Sequence, residues 1–269
     1  MMMIMFKREL IRNRKSTLLW TAILLVYNVS MLAFYPSMMG SMKDKMDVLI
    51  NSFPKEMMAA FGMDKVSITE LLGFYNTYCY LMVTILGGIF AVLQGISILS
   101  KEEDEKTIEF LLSKPVTRNK IITSKILAVL VNIIALNGIV SVFSYLVIEM
   151  VKDGSYNKRV LLLLFAAPLL MQAVFAAMGF LISVFVVKAR KNFPAGVGVV
   201  LGFYFIGIVA AISQKAEFLK YFTPFKYFDG ADIVTNKSID PLYVGIVAVI
   251  SFLCVAAVYL VYNKKDIAA

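Results

Sequence analysis

The longest uninterrupted run of carboxylates in this sequence lies in one short segment. Four acidic residues in succession, Glu102 to Glu105, stand between two long apolar stretches. Carboxylate oxygens are ligands that Mg²⁺ prefers, so this run could orient a phosphate substrate in an enzyme embedded in a membrane. Contiguous acids point around a helix axis instead of converging, and no second acidic cluster completes such a site. An intramembrane enzyme is therefore a weak hypothesis for the function of this sequence.

Several other kinds of chemistry are excluded by composition. The chain has no histidine, which excludes a Ser-His-Asp triad, a Cys-His pair and the histidine-based zinc motifs. The two cysteines, Cys79 and Cys254, lie in apolar stretches, which predicts buried thiols and not a disulfide or a metal site. No phosphate-binding loop of the form Gly-x-x-x-x-Gly-Lys-Ser/Thr occurs, so any ATP hydrolysis must reside on another polypeptide.

The residues after the acidic run predict a short amphipathic helix. Ile108, Leu111 and Leu112 recur at i, i+3 and i+4 and so share one face. Pro115 ends the helix, because the residue before a proline disfavours helical geometry. A helix shorter than about 12–15 residues is marginal alone. It must therefore rest on the membrane surface or in a groove of a partner protein.

The elements that hold this segment are predicted to be membrane-spanning helices. Of the 269 residues, 60% are hydrophobic and only 17% are charged. An uncharged apolar stretch of about 18 or more residues can cross the hydrocarbon core of a bilayer. The sequence predicts an all-α membrane protein, a single transmembrane domain over residues 1–269 with six spans at 17–35, 74–99, 121–148, 160–187, 193–213 and 243–262.

The distribution of basic residues predicts how the chain is oriented. The two termini and the segments 100–120 and 188–192, with Lys125, hold 16 Lys and Arg, whereas the segments 37–73, 149–159 and 214–242 hold 11. Cytoplasmic segments carry the excess of basic residues. We therefore expect both termini in the cytoplasm and external loops at 37–73 and 214–242. On this assignment the formal net charge of +9 is a topology signal and not a nucleic-acid signature.

Two further features concern the ends of the spans. Within residues 1–16, Met2, Met5, Phe6 and Leu10 can share one helical face while basic residues occupy the rest, which predicts an interfacial helix lying on the cytoplasmic leaflet before the first span. Lys125 is the one charged residue inside a predicted span, and near the end of a span its side chain could extend to the interface. No span contains Asp or Glu, which argues against an ion-coupled carrier, the other alternative.

The segment 100–120 resembles the ABC-2 type permease family, the membrane subunits of ATP-binding-cassette transporters. Family members carry an acidic stretch, Gly-Thr, a hydrophobic-Glu-hydrophobic-Leu-Leu run, and then Pro, a small hydroxyl residue and Arg. The matching residues are Glu103, Glu105, Thr107, Glu109, Leu111, Leu112, Pro115, Thr117 and Arg118. The sequence departs at Lys106, where the family usually has Gly. Six spans, cytoplasmic termini and a long external loop after the first span are also similar to that family.

The resemblance implies a function and a set of sites. It implies that residues 100–120 form a coupling segment that docks on a separate ABC ATPase, with two ATPase copies and a second permease copy in the assembly. ATP and Mg²⁺ would be held by the ATPase and no cofactor by this chain. The cargo would be hydrophobic or amphipathic, such as a peptide, an antibiotic or a lipid-like molecule, moved across the cell membrane by export. Docking would use Glu103, Glu105, Thr107, Ile108, Glu109, Leu111, Leu112, Pro115 and Arg118, and Phe90, Gln94, Phe203 and Tyr204 would line the path.

Overall fold

The computed structural model describes most of the chain as helices. The described residues are 2–40, 48, 52–54, 58, 63–104, 116–186 and 193–264. Most of the predicted coupling segment, from Glu105 to Pro115, lies outside them, and the side chain of Glu103 is also not described.

Six helical stretches are long and apolar enough to cross a membrane, which confirms the predicted all-α membrane fold. The first is α1, Met2–Gly40. The second consists of α2, Leu71–Phe74, a π-helix over Tyr75–Tyr80, and α3, Leu81–Asp104. The next three are α4, Arg118–Val151, α5, Lys158–Phe185, and α6, Phe193–Ile212. A 3₁₀ helix, Gln214–Phe222, and two short helices, α7, Pro224–Tyr227, and α8, Gly230–Asn236, precede the last, α9, Pro241–Lys264.

The N-terminal residues are helical, but they do not form a separate interfacial helix. Helix α1 runs for 39 residues without interruption, or about 58 Å at a rise of about 1.5 Å per residue. A bilayer core is about 30 Å thick, so one end of α1 extends beyond it. The expected turn near residue 16 is absent because Glu9 is held against two neighbouring helices by ion pairs with Lys101 and Lys125. These pairs keep residues 2–16 in line with the rest of α1.

Two glycines bring α3 and α5 into backbone contact at the centre of the bundle. A Cβ atom added to Gly95 would lie 2.4 Å from the carbonyl oxygen of Ala176, and one added to Gly179 would lie 2.4 Å from that of Val92. Rows of small residues let helices approach closely in membranes. Gly87, Ala91 and Gly95 lie four residues apart, and this spacing predicts such a surface on α3.

A buried amide pair joins three of the long helices. The side chain of Asn137 on α4 donates to Gln172 Oε1 on α5 over 2.7 Å, and Gln172 Nε2 in turn contacts Asn137 Oδ1 at 3.3 Å. Gln172 Nε2 also lies 3.4 Å from the carbonyl oxygen of Val83 on α3. Each such bond contributes about 1–2 kcal/mol or less within a membrane. These two residues therefore hold helices together, as their positions within predicted spans indicate.

Helices α6 and α9 lie at the periphery of the bundle. The described chain buries a small part of either one, 17% of the apolar window of α6 and 11% of that of α9, compared with 67% for the second span. On α6, Gly198 and Gly202 are exposed, and a Cβ atom added to either would meet no atom of the described chain within 4 Å. One face of α6 is thus small, apolar and uncovered within a single chain.

Candidate functional site

The structure shows how the two ends of the coupling segment are held. Helix α3 carries Lys101 and Glu102 in its last turn and ends at Asp104, and α4 begins at Arg118. The predicted docking residues Glu105, Thr107, Ile108, Glu109, Leu111, Leu112 and Pro115 lie outside the described residues. Their role in docking therefore stays a prediction. The part of the site that the structure describes consists of the residues at the two ends of the segment.

At the first of these ends lies a buried cluster of four charged residues, which we call the charge cluster: Glu9, Lys101, Glu102 and Lys125. Lys101 Nζ lies 2.5 Å from Glu9 Oε2, and Lys125 Nζ lies 3.0 Å from Glu9 Oε1 and 2.8 Å from Glu102 Oε1. Lys125 Nζ also donates to the carbonyl oxygen of Ile98 over 2.6 Å. The cluster joins α1, α3 and α4 at the point where the coupling segment begins.

The charges of the cluster are balanced, and Lys125 is its centre. The Lys125 side chain is 0% exposed, so it does not extend to the membrane interface as its place near the end of a span suggested. It turns inward because two carboxylates and a carbonyl oxygen receive its three N–H groups. Two carboxylates face two ammonium groups, so the cluster has no formal net charge. Buried charges persist when they are paired and hydrogen-bonded in this way.

Arg118 ties the other end of the segment to the last helix. Its Nη1 donates to the carbonyl oxygens of Tyr262 and Asn263, over 2.8 Å and 3.1 Å. The last carbonyl groups of a helix have no partner within the helix, and a cationic side chain there is favourable. Asn263 also donates to Asn119 Oδ1 over 2.7 Å. Arg118 therefore fixes the start of α4 to the end of α9, a contact that the motif did not predict.

Two of the predicted path residues line a cavity beside the charge cluster, which we call the cytoplasmic cavity because the predicted orientation places it on the cytoplasmic side. It has a volume of about 390 Å³. Phe90 and Gln94 of α3 line it together with Asn13 and Trp20 of α1. The ring of Trp20 lies 6.2 Å from that of Phe90. Phe193, the first residue of α6, also lines it, so residues of the second and fifth spans meet at this cavity.

The other two predicted path residues lie toward the opposite end of α6. The ring of Phe203 packs 6.1 Å from Phe175, and the Phe203 carbonyl oxygen accepts a hydrogen bond from Thr223 over 2.7 Å. Tyr204 lines a second, smaller cavity of about 110 Å³, together with Asn76 and Tyr80 of the π-helix. Phe90 and Gln94 are therefore separated from Tyr204 into two cavities, and no described cavity joins all four predicted residues.

An ion-pair network covers the smaller cavity. Lys226 lies 3.0 Å from Asp229 and 2.6 Å from Asp232, and Lys65 lies 2.7 Å from Asp232. Burial opposes the charge on Lys226, but Asp229 and Asp232 outweigh it and raise the pKa of this lysine. Burial likewise opposes the charge on Asp232, and the bonds from Lys226 and Lys65 outweigh it and lower the pKa of this carboxyl group. Lys226 and Asp232 therefore stay ionised at neutral pH. The network joins residues of both predicted external loops.

The loop between α6 and α9 also contacts the π-helix. Tyr80 donates a hydrogen bond to the carbonyl oxygen of Phe228 over 2.5 Å. A Cβ atom added to Gly230 would lie 1.9 Å from Asn76 Oδ1, so only glycine permits this approach. π-Helical turns within α-helices are frequent at functional sites. This one presents Asn76, Thr77 and Tyr80 to the smaller cavity.

Glu9 is the functional residue that sequence reasoning missed. It stands alone among Lys7, Arg8, Arg12, Arg14 and Lys15, and its solitary carboxylate in a basic run was the available signal. Lys125 gave a second signal, because ionisable residues within spans usually pair with one another. Their pairing could not be derived from the sequence because 116 residues separate them.

These features together define an all-α protein with six candidate membrane spans, in which the helix ends on both sides of the 105–115 segment are bonded to neighbouring helices. The membrane subunits of transporters belong to this class. A family model described as ABC-2 family transporter protein matches residues 3–267, nearly the whole chain. The chain therefore belongs to the ABC-2 transporter family. A comparison with curated proteins finds no match.

Proposed function

We propose that this chain is the permease subunit of an exporter that dimerises, pairs with two separate ABC ATPase subunits and moves a hydrophobic or amphipathic cargo across the cell membrane. Membership of the family supports a membrane transport component that works with an ATPase. ATP and Mg²⁺ belong to the ATPase in this proposal, since the sequence contains no phosphate-binding loop of its own.

The observation that carries the proposal is the charge cluster at the base of the coupling segment. Glu102 and Lys125 flank the segment and are bonded to each other, and both belong to a network that includes Glu9 of α1. Arg118 extends the same connection to α9. A displacement of the segment by an ATPase would therefore move the ends of four long helices together. Coupling of this kind travels through packed and hydrogen-bonded networks.

The uncovered face of α6 supports a second permease copy. Gly198 and Gly202 lie four residues apart on that face, with open space where each Cβ would be. Small residues at this spacing allow two helices to pack closely in a bilayer. Cavities at both ends of α6 include residues of the second span, which supports a path between the second and fifth spans.

An ion-coupled carrier is the alternative that the charge cluster could have favoured, because such carriers hold ionisable groups within the membrane. In this chain, however, Glu9 is bonded to Lys101 and Lys125, and Glu102 to Lys125. Both carboxylates are thus already neutralised by lysines of the same cluster, which leaves no excess negative charge to attract a cation. The cluster suits a structural link better than a cation site.

The proposal is tested by co-expression of the full chain with an ABC ATPase subunit encoded in the same genome, starting with the neighbouring gene. We expect the two to purify together, and Leu111→Asp, in the predicted apolar docking face, to abolish the complex. Met150→Asp is the matched control, since Met150 is 81% exposed at the other end of α4. A permease that purifies without any ATPase, or that keeps it equally well in both variants, would contradict the proposal.

A further inference from the structure

The cytoplasmic cavity has the size and the lining of a ligand site. Its volume of about 390 Å³ falls within the range of about 300–1,000 Å³ that is usual for small-molecule sites. Trp20, Phe90 and Phe193 give it aromatic walls, and Asn13, Gln94 and Lys101 give it polar ones. Aromatic surface and polar groups in one cavity suit an amphipathic molecule.

Two amide groups at this cavity lack hydrogen-bond acceptors. Gln94 is 5% exposed, and its Nε2 has no partner among the residues that the structure describes. Asn13 Nδ2 is likewise buried without an acceptor in the described chain. Asn13 Oδ1 lies 3.5 Å from Lys101 Nζ, and an ammonium group can only donate, so the NH₂ group of Asn13 faces elsewhere. A buried donor without an acceptor costs about 1–3 kcal/mol, which a suitable ligand would recover.

The two amide NH₂ groups without acceptors are hydrogen-bond donors, and this determines which ligand chemistry suits the cavity. They require oxygen acceptors, and the Lys101 ammonium beside them adds a cationic donor. The charge of Lys101 is balanced by Glu9 at 2.5 Å, so recognition depends on hydrogen bonds more than on net charge. Phosphate oxygens satisfy several N–H groups at once and form the stronger, charge-assisted bonds.

We infer that the cytoplasmic cavity binds an amphiphile with a phosphate headgroup, whose oxygens accept from Gln94 and Asn13 and whose apolar chain lies against Trp20 and Phe90. The bilayer in which the helices lie supplies such molecules. That this molecule is the cargo rests on the proposed function, whereas its binding does not. The inference names the headgroup that the proposed hydrophobic or amphipathic cargo would carry.

The single tryptophan of the chain, Trp20, lines this cavity and therefore reports on its occupancy. The full chain in a neutral detergent is titrated with dibromododecyl phosphate, since bromine quenches indole fluorescence on contact. Dibromododecyl trimethylammonium has the same chain and a headgroup without acceptors. We expect saturable quenching by the phosphate and only a gradual, non-saturating decrease with the ammonium compound. Equal quenching by both would overturn the inference and indicate donors that are satisfied by water.

Substitutions of the two amide residues test whether the fluorescence quenching depends on their donor groups. Gln94→Leu removes one donor at similar size, and we expect it to weaken binding of the phosphate about tenfold or more, because a hydrogen bond to a charged group is lost. Asn13→Leu should weaken it similarly and serves if the first variant does not fold. Asn236→Leu makes the same substitution as Asn13→Leu at an exposed residue of α8, outside the cavity lining, and should bind like the parent. Unchanged affinity in both cavity variants would refute the inference. No ATPase is present, so this failure is distinct from failure of the proposed function.

Discussion

Removal of the Lys125 ammonium group should destabilise the protein more than loss of any exposed lysine. In Lys125→Met, Glu9 keeps its ion pair with Lys101 and Glu102 loses its ion pair with Lys125, while both carboxylates stay in a buried site. Breaking a buried ion pair by removing one partner costs about 3–5 kcal/mol. Methionine fills most of the volume of the lysine stem, so the loss reports on the charge and not on a cavity.

The assay is unfolding of the full chain in detergent micelles by a denaturing detergent, followed by helix content. Lys120→Met is the matched control, because Lys120 is exposed at the same end of α4. We expect the control to lie within about 0.5 kcal/mol of the parent, as surface substitutions usually do. A Lys125→Met variant that is as stable as Lys120→Met would refute the conclusion that the cluster fixes α1, α3 and α4 together.

A second substitution separates lost charge balance from lost packing. Lys125→Met combined with Glu102→Gln removes one charge of each sign and leaves the Glu9–Lys101 pair at 2.5 Å. Residues in one ion-pair network are coupled by about 0.5–3 kcal/mol. The double variant should therefore be more stable than the sum of the two single changes predicts. Simple additivity would show that the two side chains act independently.

Three further predictions concern packing, assembly and pH. Gly95→Leu should unfold the bundle or lower its stability by more than about 3 kcal/mol, since a side chain there meets the backbone of α5, whereas Gly138→Leu on α4, with open space beside it, should be tolerated in the same unfolding assay. Gly202→Leu should leave the unfolding of the single chain unchanged and reduce dimer formation in sedimentation measurements, and an unchanged dimer would exclude this face of α6 as the contact. Asp232→Asn should lower the unfolding midpoint at pH 7, and its difference from the parent should shrink as the pH falls below about 4, because the stability that comes with the lowered pKa of Asp232 is complete above the ordinary carboxyl pKa and is lost as the pH falls through the lower folded value.

The number of spans could be predicted from the sequence because it depends on local composition alone. Six uncharged apolar stretches of sufficient length give six helices, since a helix is the element that satisfies its own backbone groups in lipid. Polar side chains within spans can be expected to bond between helices, as Asn137 and Gln172 do, but that these two pair with each other was not predictable from the sequence. Where the helices end was less predictable, as α1 shows by continuing through the basic residues at its start.

The candidate site depended on contacts that local patterns do not encode. The amphipathic pattern of residues 1–16 is equally compatible with an interfacial helix and with an extension of α1. The structure has the extension, in which Glu9 meets lysines 92 and 116 residues away. The motif indicated that Arg118 matters, but its bond to Tyr262 spans 144 residues. The cytoplasmic cavity needs α1, α3 and α6 in place before Asn13, Gln94 and Phe193 become neighbours.

Native mass spectrometry of the complex released from membrane nanodiscs tests the central claim most directly. We expect an assembly of two copies of this 30.0 kDa chain with two ABC ATPase subunits. In Leu111→Asp we expect the ATPase to be lost and the second permease copy to be retained. A chain that is found without an ATPase, and that transports on an ion gradient in the absence of nucleotide, would contradict it.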